Sequence, residues 1–402
     1  MFGAIYVGLS GLTAYSDGLQ AVSNNVSNLN TVGFKANDVT FQNVFGSGSQ
    51  GGLEFGNAQV GSGYGVSLDE LSVNFSQGEL RETGRDLDLS IDGNGFFVLI
   101  DGDQQFFART GSFVVDDDGF IVLQNTNFRL GVLDEEGRPQ ELNIDEFRTD
   151  PPEPTTRVTF ADNLSSTADD FTIPDLTVFG PNGEENNWTV QFERNQDEVD
   201  TWTVTVTTAS GDELGSETLT FDGGEVSSDT SELTFEDEDA GLSVTFDFSE
   251  GVTSFSAGTV SSLRASDVEG HGTGSLATLA VNEAGQLEIT YTNEETLELG
   301  EIALADFRDP QSLEQRGNAL FEFNGFGQVQ FLGAEDTRVG SILSRRLEAS
   351  NVDLGNQFGD LILIQRGYQA SSQIISVSND MIQQLLGREC QRAAGSCRWR
   401  PR

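Results

Sequence analysis

The sequence predicts an α+β protein, mainly β, in which N- and C-terminal helices pair in a coiled-coil-like inner domain and two antiparallel β domains are nested between them. Three observations carry this expectation. Apolar residues recur at steps of three and four over both ends, they alternate with polar residues through the interior, and 46 glycines against 8 prolines supply tight turns between strands. At 402 residues the chain exceeds the usual span of one hydrophobic core, so two or three domains are expected.

The first helix is read from Ile5, Leu9, Leu12, Leu19, Val22, Val26 and Leu29, with Ser16 and Ser23 filling gaps in the row. Gly8, Gly11 and Gly18 interrupt it, each at a cost of about 1 kcal/mol relative to Ala. Such a helix needs a partner, and its small residues admit one closely. The far end mirrors it: Leu347, Asn351, Leu354, Phe358, Leu361, Gln365, Tyr368, Ser372, Ile375, Asn379, Ile382 and Leu386 alternate steps of four and three, the spacing of a coiled-coil seam. Its polar members weaken a free dimer and are suited to fixing register among several helices.

Between the ends the period changes to two. Leu87, Leu89 and Ile91 alternate with polar residues, and Phe96–Ile100 and Phe106–Phe107 flank Asp101-Gly102, a hairpin turn signal. Pro151, Pro152 and Pro154 mark a boundary. Beyond it Trp188, Val190 and Phe192, then Trp202, Val204 and Val206, then Val244, Phe246 and Phe248 read as strands of a sandwich or barrel, closed by the glycine linker Gly270, Gly272 and Gly274. The expected domains are 1–34 with 345–387 (helical assembly), 35–69 (connecting segment), 70–150 with 275–344 (middle β), and 151–274 (inserted outer β). Residues 388–402, Arg-rich and holding both cysteines, read as an atypical tail from a shifted frame or a strain-specific extension.

Charge narrows the functional classes. With 65 Asp and Glu against 21 Lys and Arg, a formal net of −44, most of the surface repels a phosphate backbone, and nucleic-acid binding is not expected. Lys35 is the sole lysine, and so acidic and lysine-poor a surface suits concentrated salt, where screening relieves self-repulsion. No apolar run is long enough for a membrane span, and the N-terminus lacks the pattern of a cleaved secretory signal. The one histidine, His271, sits in the Gly270–Gly274 linker, a poor place for a preorganised base. Acidic runs at Asp116–Asp118 and Glu236–Asp239 lack the spacing of a calcium loop and suit solvated turns. No catalytic, metal or cofactor residues are assigned, and an enzyme is not expected.

The stretch Asn24-Asn25-Val26-Ser27-Asn28-Leu29-Asn30-Thr31-Val32-Gly33-Phe34-Lys35 resembles the N-terminal signature of the flagellar rod and hook axial proteins. Leu87–Phe97 and Phe107–Phe113 resemble the β region of that family. Leu347–Leu354, with Asn351, Val352 and Asp353, and Gln365-Arg366-Gly367-Tyr368-Gln369-Ala370 resemble its C-terminal end. The resemblance covers about residues 1–150 and 275–387 and leaves the insert unmatched, which favours the hook branch over the shorter rod subunits. It implies a structural subunit that polymerises through its terminal helices into a flexible tube transmitting torque from motor and rod to filament. It also implies self-association, contacts with rod, hook cap and junction proteins, and export through the flagellar apparatus to the hook and basal body, outside the cell, without signal cleavage. Two other readings are a distal rod or hook-junction subunit and, in a different class, a secreted acidic β-sandwich adhesin.

Overall fold

The computed structural model describes residues 2–45, 63–69, 72–196, 198–323, 325, 328–334 and 336–395. The chain divides into two compact units, one of Met1–Asn143, Ala280–Leu287 and Leu299–Arg402, the other of Ile144–Leu279 and Glu288–Glu298.

The first unit joins both chain ends to a curled sheet. Helix α1 spans Phe2–Ser27 and helix α2 spans Leu354–Gly395. The sheet runs in the order Leu313–Gln315, Phe321–Phe323, Gln104–Ala108, Phe96–Asp101, Arg129–Leu133, Ile121–Leu123, Thr110–Val115, Asp88–Asp92 and Ser341–Ser344, so strands from early and late in the chain share one layer. The Asp101-Gly102 turn closes the expected hairpin, with Gly102 at φ +60° and Asp101 opposite Gln104. Phe96 anchors the core, its ring 5.4 Å from Phe307 and 5.8 Å from Phe321, both edge-on, the arrangement aromatic quadrupoles favour.

The second unit is built on a ten-stranded sheet. Its period-two residues Trp188, Val190, Phe192, Trp202, Val204, Val206, Val244, Phe246 and Phe248 are all buried, as alternation requires when one face meets a core. Strand Arg157–Asn163 runs parallel to Leu242–Asp247 and to Val252–Thr253, a departure from the antiparallel expectation. It also lies antiparallel to Arg264–Val268, Val158 facing Val268 and Ala161 facing Arg264, so the strand that brings the chain in neighbours the strand that takes it out. The unit begins at Ile144, ahead of the boundary expected at Pro151, because Thr149 and Asp150 already pair with Ser275 and Gly274. The helical ends, expected as a domain of their own, share their unit with β structure because α1 packs on the hairpin of Phe41–Phe45 and Gly63–Leu68 as well as on α2.

Candidate functional site

The two helices form an antiparallel hairpin joined at its base. Asn25 meets Gln357, Gly18 meets Ile364, Tyr15 lies over Gly367, Gly11 faces Ser371 and Gly8 faces Ile375. The buried row of α1 is Gly8, Gly11, Ala14, Gly18, Ala21, Val22 and Asn25, and that of α2 is Gln357, Ile364, Ser371 and Ser378. A Cβ on Gly11 would stand 2.4 Å from Ser371 Oγ, and one on Gly367 2.5 Å from Tyr15 Cζ. The helices therefore approach through absent side chains rather than through a leucine seam.

This corrects the predicted seams. Of the expected N-terminal row Val22 is buried, Ile5, Leu12 and Val26 are half-buried, and Leu9 and Leu19 face outward. On α2 Leu361, Ile375 and Ile382 are half-buried, while Leu354, Phe358, Gln365 and Tyr368 are exposed. The buried positions fall one residue before the expected Phe358, Gln365, Ser372 and Asn379. Two adjacent stripes of α2 share four-three spacing, and the small α1 face selects the one with serines. Leu347 and Asn351 are not helical: Leu347 lies in strand Arg346–Glu348 opposite Arg81, and the helix starts only after Asp353, whose Oδ1 accepts from Gly355 N at 2.7 Å and Asn356 N at 3.1 Å. That cap was visible in the sequence as Asp before a helical run. The backbone of α2 continues to Gly395, beyond the expected end at 387, and the Leu386 side chain lies outside the described residues.

At the base of the hairpin the two family-like motifs meet. Asn25 is fully buried, donating to Asn37 O at 2.9 Å and Gln357 Oε1 at 3.0 Å while accepting from Asn37 N at 2.9 Å. Asn28 closes the end of α1, donating to Asn24 O and Asn24 Oδ1, and accepts from Thr31 Oγ1. Gly33, at φ +70°, turns the chain so that its N–H donates to Glu348 O at 2.8 Å. Phe34, Ala36 and Val352 bury together, and Asn351 accepts from Ala36 N at 2.8 Å and donates to Asn74 O at 2.7 Å. Arg366 and Gln369 lie outside this junction, on exposed positions of α2.

Inside the junction lies an ion cluster. Lys35 Nζ is 2.6 Å from Glu348 Oε1 and 2.8 Å from Ser76 O, and the same carboxylate oxygen accepts from Gly78 N at 2.7 Å. Arg109 Nε stands 3.7 Å from Glu348 Oε2, its other nitrogens donate to Gly93 O and Gly95 O, and its guanidinium lies over the Phe96 ring. Lys35, Arg109 and Glu348 are 1%, 3% and 0% exposed. Burial holds the Lys35 ammonium below its ordinary range although Glu348 opposes the shift, and burial lowers Arg109 in the same way. Arg109 and Glu348 were not singled out from sequence. The signal was a sole lysine in an acidic chain, which needs an acid when buried.

Both helices keep a second apolar stripe facing away from the hairpin. On α2 Leu363 and Val377, two heptads apart, and Ile374 and Met381, one heptad apart, are exposed, Leu363 by 68%. On α1 Tyr6 and Leu9 are 60% and 55% exposed and rim a groove of about 400 Å³ against Val66–Leu68. These helices are also nearly free of charge: α1 holds Asp17 alone, and α2 up to residue 384 holds Asp360 and Asp380 against Arg366, so they contribute −2 to the net of −44.

The remaining candidates resolve into structure. His271 is no free linker residue: its backbone exchanges hydrogen bonds with Glu153, and its Nδ1 lies 3.0 Å from Asn293 Nδ2. Asp116 Oδ1 accepts from Asp118 N and Phe120 N, and Asp237 Oδ1 from Asp239 N and Ala240 N, the usual bonding of acidic turns. Among the described residues no group of three or more His, Cys, Asp or Glu could hold a metal ion, and no helix is long and apolar enough to cross a membrane.

The chain is thus a β-rich body whose two ends unite in one helical hairpin of few charges, pinned at its base and apolar outside. The family model described as "Flagella basal body rod protein" matches residues 5–35, and that described as "Flagellar basal body rod FlgEFG protein C-terminal" matches residues 343–388. The chain resembles flagellar hook proteins along nearly its whole length. It is 27% identical to the flagellar hook protein FlgE of Borreliella burgdorferi over 96% of this chain and 99% of that one. It is 27% identical to that of Salmonella typhimurium over 94% and 98%, and 28% identical to that of Brucella suis over 96% and 98%. The crystal structure of Helicobacter pylori flagellar hook protein FlgE2 aligns with a TM-score of 0.48 at 12% identity, over 67% of this chain and all of that one.

Proposed function

We infer that this chain is a structural subunit of the bacterial flagellar hook, polymerising through its terminal helices into a flexible tube that carries torque from rod to filament. The observation that carries this reading is the coincidence of exposed apolar stripes with the scarcity of charge on α1 and α2. Copies bearing a net charge near −44 repel one another over most of their surface, and the helices are where they can approach. Each outward side chain buried there contributes about 1.5 to 3 kcal/mol. The stripes lie on different helices, and a heterologous contact between them that does not close into a ring builds an open filament. Rod, hook cap and junction proteins are the neighbours expected at the filament ends, and the flagellar export apparatus is the expected route out of the cell.

Electron microscopy of the purified full chain under polymerising conditions tests this. Tubes are expected from the parent chain, and none from Leu363→Asp combined with Val377→Asp, with the β units still folded. Tubes that persist in that variant would overturn the assignment of the stripe.

A further inference from the structure

We propose that the buried junction is a conditional lock: the N-terminal segment can fasten to the β body only when residues 346–353 have arrived, because Glu348 brings the one carboxylate that, among the described residues, pairs with both cations enclosed there. Arg109 belongs to the body, held by the Gly93 and Gly95 carbonyls and the Phe96 ring. Lys35 comes with the N-terminal segment and, once docked, is 1% exposed with one carbonyl, Ser76 O, as its only acceptor other than Glu348 among the described residues. Without the carboxylate its ammonium would be shut away beside a like charge, an arrangement that strongly disfavours closure. Glu348 lies 313 residues further along the chain. Its backbone also receives the Gly33 N–H, and Asn351 receives the Ala36 N–H, so the late segment completes the docking of the early one in bonding as well as charge. Since α1 ends and α2 begins at this junction, helix pairing is tied to the presence of the last part of the chain. The lock operates within one molecule and stands whether or not the chain builds a tube.

The sole lysine makes the test specific. The full chain is treated with an amine-acylating reagent at neutral pH, and the modified Lys35 peptide is quantified by mass spectrometry alongside hydrogen exchange of the α1 amides. In the parent chain Lys35 should react at least tenfold more slowly than in denaturant. Glu348→Gln should raise that rate at least tenfold and strip protection from α1, while the fluorescence of buried Trp188 and Trp202 stays unchanged. Glu348→Gln combined with Lys35→Met, which brings no cation into the junction, should restore α1 protection. Slow acylation in Glu348→Gln would overturn the proposal. So would a double variant as unprotected, or as poorly folded, as Glu348→Gln alone, because the carboxylate would then act through shape and not charge.

Discussion

Asn25 shows what one side chain does at the base of the helices. Its amide satisfies both backbone groups of Asn37 and reaches Gln357 across the hairpin, with no solvent exposure. Asn25→Ala leaves those half-buried groups and the buried Gln357 without this partner, which costs about 1 kcal/mol or more. The expected outcome is a lower denaturation midpoint for the helical signal, with the Trp fluorescence transition unmoved. Lys35 allows a second prediction at this scale. Its folded-state pKa lies below the ordinary 10.5 because burial disfavours its charge, and two cations already share one carboxylate. The unfolded chain thus binds more protons between the depressed value and 10.5, so stability from this residue rises with pH across that window and is lower beneath it. Comparing the pH dependence of α1 exchange protection in the parent and in Lys35→Met should reveal that slope only in the parent.

At the scale of the element, the helical hairpin depends on missing side chains. Gly11→Leu and Gly367→Leu each drive atoms into Ser371 or Tyr15, and overpacking of this kind costs about 1 to 3 kcal/mol. Leu9→Ala, on the outward stripe, should leave the isolated chain's helical melting within about 0.5 kcal/mol of the parent, as exposed substitutions do. Thermal melts followed by circular dichroism separate the two cases. The contrast also explains what could be read from sequence. That both ends are helical was legible in their periodicity, but which stripe faces inward was not, since periodicity ranks residues by apolarity and the inner face here is glycine, alanine and serine. The strands were legible for the opposite reason: Trp188, Val190 and Phe192 are apolar and buried alike. The Asn-rich motif was recognisable as a stretch, yet its contact with Glu348 and Asn351 joins residues over 300 positions apart and has no local signature.

Across the whole molecule, charge and connectivity set behaviour. Most of the net −44 lies outside the helices, so screening by molar salt should raise the melting temperature followed by Trp188 and Trp202 fluorescence, and a flat response would remove high-salt adaptation as the reason for the acidity. Layering was legible from periodicity, while the parallel placement of Arg157–Asn163 was not, because strand direction depends on the path of the chain and not on alternation. That path has an evolutionary consequence. The strands that lead into and out of the second unit lie side by side, with Val158 opposite Val268, so the two cut ends of an excised insert sit one strand spacing apart, about 5 Å, and a short turn can rejoin them. An insertion tethered in this way can be enlarged, trimmed or exchanged without altering the two terminal helices, leaving the second unit free to diversify while the hairpin stays constrained.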